Sequence, residues 1–198
     1  ERTAPEVRAA ASTLEGLQLW VALPRRDEEC EPSFVHHPAD TLPELDGDGV
    51  RARIVAGESF GRRSPVATRS PLVFVDLVLQ PGARVDIPAL HAEQALYVVD
   101  GRLDLGADGV HEGGRLLVLK PGATVTLRGA ASGPTRCVLL GGEPMDGPRH
   151  LAWNFVASSA ERIEQAKADW QAGRFAAVPG ETEFIPLPDL PGRPVSYP

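Results

Sequence analysis

Short apolar runs separated by turn residues recur along most of this chain. Dipeptides such as Pro81-Gly82 and Asp100-Gly101 mark the turns. Short strands punctuated in this way are typical of an antiparallel β-barrel, because closure of a barrel removes exposed strand edges. The runs that predict strands are residues 50–55, 72–79, 83–87, 96–99, 116–119, 124–127 and 137–140.

One segment near the C-terminus has helical periodicity instead. Ser158 and Glu161 have the spacing of a capping box, which predicts Ser158 as the N-cap. Gly173 is a suitable C-terminal stop. The apolar residues that follow one face of this predicted helix are Ile163, Ala166 and Trp170. The narrow stripe predicts a helix that packs on the flank of the barrel or on a neighbouring domain.

The two ends of the chain carry weaker signals. Residues 1–15 are polar and show no strand pattern, whereas residues 17–23 (LQLWVAL) are predicted to form a strand that Pro24 ends. Residues 178–198 contain six prolines, which predicts an extended tail that lies against another part of the protein.

Composition narrows the classes of function. The 198-residue chain has a formal net charge of −7 and no basic stripe, so we expect no direct contact with nucleic acid. No apolar run approaches the ~18–20 residues needed to span a bilayer, so we expect no membrane insertion. Cys30 and Cys137 are isolated, which predicts reduced thiols in a cytoplasmic protein rather than a disulfide.

Glycine spacing between residues 81 and 122 adds a functional signal. Gly101 follows Gln94 by the interval that separates a glutamate from a glycine in the first motif of the cupin superfamily. This spacing resembles that motif, whose metal-binding members also carry two histidines just before the glutamate. In this chain the two histidine positions fall near Pro88 and Leu90.

The second cupin motif can be placed in the same way. Gly114 and Gly122 have its spacing, and its histidine position then falls on Val125. A first-row metal needs nitrogen and oxygen donors that converge on one point, and leucine and valine offer none. The alternation of residues 124–127 predicts that Val125 points into the barrel. We therefore expect no metal in this barrel.

Four polar residues near the first motif admit two interpretations. His91 and Glu93 lie one residue out of step with the ligand positions, and one residue reverses the face of a strand side chain. His91, Glu93, Gln94 and Tyr97 could line the rim of a pocket in the barrel. Alternatively, they are surface residues bonded to neighbouring loops or to water. The other histidines (His36, His37, His111 and His150) lack ligand spacing.

Several segments, which occur in the same order along the chain, together resemble the pirin family of two-barrel cupins. They are GLQLWVALP (16–24), RARIVAGESFGRRSPV (51–66), LLGGEP (139–144), DWQAGRF (169–175) and FIPLP (184–188). The resemblance implies an all-β, cupin-type, jelly-roll-like antiparallel barrel with one C-terminal helix and a proline-rich tail. It implies residues 1–31 as a remnant of an N-terminal cupin domain and linker, 32–178 as the C-terminal barrel with its flanking helix, and 179–198 as the tail.

Family members hold a metal, usually iron, through three histidines and one glutamate of the N-terminal barrel. The resemblance implies that Glu1 alone could match this set, with the other ligands preceding the chain. The cofactor implied is Fe(II) or another divalent metal in that N-terminal barrel, with none in this chain alone. The expected partner is the N-terminal cupin domain of the same protein.

The resemblance implies two classes of activity for the complete protein. One is a metal-dependent dioxygenase of the quercetin 2,3-dioxygenase type acting on flavonols, in which this chain alone would be inactive. The other is a redox- or iron-responsive regulator that binds a transcription factor or a metabolic enzyme. A third interpretation is a metal-free cupin that binds a small molecule in the space that the lost ligands leave.

Overall fold

The computed structural model describes residues 5–178, 182–189 and 195–197. Within them the helices are α1 (Pro5–Arg8) and α2 (Ala160–Gln171). The strands are β1 (Glu44–Gly47), β2 (Val50–Ser59), β3 (Arg62–Arg63), β4 (Leu72–Leu79), β5 (Arg84–Ile87), β6 (Glu93–Asp100), β7 (Arg102–Asp104), β8 (Val110–Glu112), β9 (Arg115–Val118), β10 (Val125–Gly129), β11 (Thr135–Gly142), β12 (Arg149–Ala152), β13 (Phe155–Ala157) and β14 (Val195–Tyr197).

Two antiparallel sheets enclose one core. The large sheet has the order β1-β2-β4-β11-β6-β9, with β3 paired to β2, and the second sheet has the order β5-β10-β7-β8. Inward-pointing side chains fill the space between the sheets: in β4, for example, every second residue from Val73 to Leu79 is buried. Ile87, Leu103 and Leu127 of the second sheet belong to the same core. The prediction of an all-β cupin-type barrel is confirmed.

Each of the seven predicted strands is present, although several are longer than predicted. The prediction of a strand at residues 17–23 is wrong: the segment has no regular secondary structure. A strand needs a neighbour for its backbone groups, and in the described residues no strand pairs with this one. Leu19, Trp20 and Val21 are exposed. The segment therefore leaves apolar side chains exposed on the surface and does not bury them in a sheet.

Helix α2 begins one residue later than predicted. Its N-cap is Ser159, whose hydroxyl accepts a hydrogen bond from the Arg162 backbone N–H at 3.2 Å. Ser158 instead donates to Glu28 Oε2 at 2.7 Å, which ties the helix start to the loop after residue 23. The predicted stop is confirmed, since Gly173 has φ +66° directly after the helix.

Helix α2 packs beside the β12–β13 hairpin. Strand β14 pairs with β12, so the three strands form a third sheet. The extended segment 182–189 lies on this helix, because Trp170 Nε1 donates to Ile185 O at 2.8 Å. In the predicted tail, residues 182–189 have no regular secondary structure and residues 195–197 form β14; residues 179–181, 190–194 and 198 lie outside the described ones. An aromatic cluster joins helix, hairpin and tail through Trp153, Phe155, Trp170, Phe175 and Phe184.

Cys30 is exposed and Cys137 is buried, and neither forms a disulfide. Burial raises the pKa of the Cys137 thiol to about 12, because the apolar core disfavours the thiolate. None of the helices in the described part of the chain has the length and apolar character needed to cross a membrane.

Candidate functional site: the ligand positions of the barrel

The glutamate position of the cupin motif holds a buried amide. Gln94 lies on the inward face of β6 and is 7% exposed, whereas the adjacent Glu93 points outward. The Gln94 Oε1 atom accepts hydrogen bonds from the backbone N–H groups of Leu90 (3.0 Å) and His91 (3.4 Å). Its Nε2 atom donates to Pro88 O at 3.2 Å. Both ends of the amide therefore hold the loop on which the histidine positions fall.

A carboxylate in place of this amide would lose the hydrogen bond to Pro88 O. Ionised glutamate only accepts hydrogen bonds, so it would face Pro88 O without a proton to donate. An amide supplies an NH₂ group that donates and an oxygen that can accept two hydrogen bonds, which matches the carbonyl and the two N–H groups of the loop. Gln94 is thus a loop clamp, and its oxygen is already used by the backbone.

The remaining ligand positions offer no donor atoms. Leu90 is exposed, and the half-buried Val125 packs against the core from β10. The alternation predicted for residues 124–127 is confirmed, since Leu127 is buried and Thr126 is exposed. Across the described residues no group of three or more His, Cys, Asp or Glu side chains is placed to hold a metal ion. The side chains at the motif positions do not fit a metal.

Only two of the four predicted rim residues line the same cleft. Glu93 and Gln94 line a cleft of about 460 Å³, which also includes Val118, Leu119 and Leu140. His91 and Tyr97 are not among the residues that line it. His91 Nδ1 lies 3.1 Å from Glu143 Oε1, so this histidine joins the motif loop to the end of β11. Tyr97 is half-buried on the outer face of the large sheet. Glu1 lies outside the described residues.

An apolar groove that the sequence pattern does not predict lies at the same end of the barrel. This outer groove has a volume of about 620 Å³ and is formed by residues 19–23, 66–74 and 140–143 together with Met145. Trp20 lies on its edge and is 52% exposed. The signal that could have revealed it is the LQLWVAL run, which is apolar on both faces and has no strand partner.

A buried arginine fixes the segment that forms one wall of the outer groove. Arg149, on β12, is 5% exposed, and its Nη2 atom donates to Leu23 O at 2.7 Å and to Asp146 Oδ1 at 2.5 Å. The bond from Arg149 holds the pKa of Asp146 below its usual value, and the Arg25 backbone N–H acts in the same direction. The groove wall is therefore anchored at residue 23 to β12, which belongs to the third, three-stranded sheet.

Comparison with known proteins relates this chain to one protein family. The sequence profile of the pirin C-terminal cupin domain matches residues 74–176. The chain is 45% identical, over 92% of its length, to a pirin-like protein of Caulobacter vibrioides. It is 30% identical, over its full length, to a putative quercetin 2,3-dioxygenase of Pseudomonas aeruginosa.

A solved structure has the same architecture. The crystal structure of a quercetin 2,3-dioxygenase from Acinetobacter baumannii matches 88% of this chain with a TM-score of 0.76 and 30% sequence identity. The chain spans 63% of the Caulobacter protein, 60% of the Pseudomonas protein and 59% of the Acinetobacter chain. The similarity therefore covers about three-fifths of each of these relatives.

Proposed function

Because this chain belongs to the pirin family, we propose that it is the metal-free C-terminal barrel of a metal-dependent dioxygenase acting on quercetin-like flavonols. Relatives named for quercetin 2,3-dioxygenase activity support the reaction class. In this proposal the complete protein is cytoplasmic, and Fe(II) or another divalent metal lies in its other barrel. This chain supplies no ligand at the described motif positions.

The outer groove is the observation that supports a contact between this metal-free barrel and a second, metal-binding barrel. An exposed apolar surface that includes a tryptophan marks a contact with another protein surface. The chain spans only 63% of its Caulobacter relative, so the occupant we propose is the other cupin barrel of the same protein. Glu93 and Glu143 border the groove and would face the rim of that barrel. The role of this chain is to close one side of the reaction site and to exclude water from it.

Oxygen uptake by the full-length protein tests this proposal. We expect quercetin-dependent oxygen consumption after loading with Fe(II), and none from residues 1–198 alone. Val21→Asp places a charge in the outer groove and should lower turnover by about tenfold or more, because it disrupts packing of the two barrels. Val110→Asp is the matched control, since Val110 is 49% exposed and Val21 is 57% exposed.

The outcomes separate the parts of the proposal. Iron-loaded full-length protein that consumes no oxygen with quercetin would exclude the dioxygenase reaction. Equal effects of Val21→Asp and Val110→Asp would exclude the outer groove as the contact between barrels. Oxygen uptake by residues 1–198 with iron would show that this chain itself supplies the reaction site.

The same groove also favours a second candidate function. A redox- or iron-responsive regulator would use an exposed apolar surface to bind a protein partner. Such a regulator should bind its partner with affinities that differ between the Fe(II) and Fe(III) forms of the full-length protein. Equal affinities in the two oxidation states would exclude this function.

A further inference from the structure

Strand β9 leaves one edge of the large sheet open. It is the last strand of that sheet and, within the described residues, pairs only with β6. In an antiparallel pair, alternate residues direct their backbone groups towards the partner strand. The Leu119 N–H donates to Gln94 O at 2.9 Å, so Leu117 and Leu119 face β6. The N–H and C=O groups of Leu116 and Val118 consequently point to the open edge.

The open edge of β9 is only partly protected. Natural edge strands are blunted by shortness, proline, bulges or charged side chains, and β9 has four residues that begin with Arg115. Here the outward side chains are apolar: Leu116 is 58% exposed and Val118 is 80% exposed. A strand of this kind is a template for the addition of another strand.

A cleft of about 680 Å³ runs along this edge, between β9 and the second sheet. Its lining is mixed: Leu105, Leu117, Leu119 and Val125 pack against the core, and Asp104, Asp108 and Arg128 are among the polar residues. Its volume lies in the range of ~300–1,000 Å³ that is common for binding sites. A strand added to β9 would place every second side chain in this cleft.

The charges at the ends of β9 favour an added strand with acidic ends. Arg115 begins the strand and Lys120 follows it, and neither forms an ion pair with another described residue. If two copies paired through β9, their cationic ends would meet, and like charges oppose this. A foreign strand with acidic ends would instead place a carboxylate near each cation.

We propose that the open edge of β9 binds an extended, acidic-ended segment of a partner protein by strand addition. The backbone groups of Leu116 and Val118 form the ladder, and the cleft receives small apolar side chains of the segment. Arg115 and Lys120 bind its two acidic ends. This site is separate from the outer groove, so it does not depend on the proposed dioxygenase function.

A synthetic peptide tests the proposal directly. The probe is fluorescein-labelled Glu-Val-Thr-Val-Thr-Val-Glu, capped at its C-terminus, and binding to the chain is measured by fluorescence anisotropy. We expect saturable binding, weakened by about tenfold or more when the peptide ends are lysine or when its ladder-facing amides are N-methylated. The double variant Arg115→Glu, Lys120→Glu should prefer the lysine-ended peptide, because the charge pattern is reversed.

Val118→Pro tests the ladder on the protein side. Proline removes the N–H that points away from β6, so the β6–β9 pairing is kept and the melting temperature should change little. Peptide affinity should fall by about tenfold or more. The N-methylated peptide gives the same information without any variant, should Val118→Pro fail to fold.

Three results would overturn the proposal. One is the absence of binding at a peptide concentration of about 1 mM. Another is equal affinity for the methylated and unmethylated peptides. The third is a dimer of this chain in sedimentation experiments that Val118→Pro abolishes, since it would show that a second copy occupies the edge.

Discussion

Gly141 of β11 lies directly opposite Gln94 of β6, and the two residues pack too closely for any side chain at position 141. A Cβ atom there would lie 2.8 Å from Gln94 Cγ and 2.7 Å from Glu93 O. The loop clamp of the barrel therefore depends on a glycine in the neighbouring strand. This explains physically why LLGGEP carries glycine at this point.

Gly141→Ala should be destabilising by about 1–3 kcal/mol, because the new methyl group must displace Gln94 or the β6 backbone. Urea unfolding followed by circular dichroism measures the free energy of unfolding. Gly47→Ala is the matched control, since Gly47 also lies in a strand and a Cβ there meets nothing within 4 Å. Equal stability of the two variants would contradict the close approach of Gly141 to Gln94.

Gln94→Glu should be destabilising by about 2–3 kcal/mol at pH 7, because a buried carboxylate would face Pro88 O without a proton. Burial should raise the pKa of the new carboxyl group above its unfolded value of about 4.3. Relative to wild type, stability should be best below that value and fall as pH rises through the folded-state pKa. Gln80→Glu, at an exposed position, should show little of this pH dependence.

Iron binding provides a second measurement on the same variant. Gln94→Glu should not bind Fe(II) tightly, because Leu90 and Val125 still lack donor atoms. Metal analysis after dialysis measures the iron content. About one iron bound per chain would show that the barrel keeps ligands other than those at the motif positions.

Glycine spacing predicts Gln94 at the glutamate position, but it does not predict what that residue does. The bonds of Gln94 depend on the path of residues 88–91, which the sequence does not determine locally. Apolarity at residues 17–23 predicted a strand, yet apolarity also occurs in an unpaired segment whose side chains are exposed on the surface. The residues of β9 were predicted as strand, whereas its open edge follows from the order of strands in the sheet. The local sequence pattern predicts that a segment is a strand, whereas the order of strands in the sheet determines which backbone N–H and C=O groups remain unpaired.

Arg149→Met should be destabilising by about 2–4 kcal/mol, because the buried guanidinium binds Leu23 O, and the substitution leaves that carbonyl without its donor. Limited proteolysis should then cut residues 19–29 faster. Arg174→Met is the control: Arg174 pairs with Asp169 at an exposed position, so its loss should cost below about 1 kcal/mol. Unchanged proteolysis of Arg149→Met would show that the groove wall is held by other contacts.

Acid should weaken the same anchor. The pKa of Asp146 is lowered in the folded protein, first by the Arg149 bond. Its contribution to stability is therefore present above the ordinary aspartate pKa of about 3.9 and is lost as pH falls through the lower folded-state value. Asp146→Asn should remove this part of the acid dependence. An identical pH profile in wild type and Asp146→Asn would contradict the assignment.

Phe184→Ala should release residues 182–189 from helix α2, because the Phe184 ring stacks on Trp170 at a centroid distance of 5.7 Å. The expected cost is about 0.5–1.5 kcal/mol for the aromatic pair. Tryptophan fluorescence should shift to longer wavelength as Trp170 becomes more exposed. Phe34→Ala is the control, since Phe34 is exposed and lies outside the aromatic cluster. A spectrum unchanged from wild type would contradict the docking of the tail.

Alkylation should distinguish the two cysteines. Cys137 is buried in the core, and its pKa is raised to about 12, so at pH 8 it is almost entirely an unreactive thiol. Cys30 is exposed and open to the reagent. With iodoacetamide the native chain should gain one label, at Cys30, and should gain the second only after unfolding in urea, as peptide mass spectrometry would show. Cys30→Ser should abolish native labelling altogether, whereas rapid native labelling of Cys137 would mean that β11 opens far more readily than its place between β4 and β6 allows.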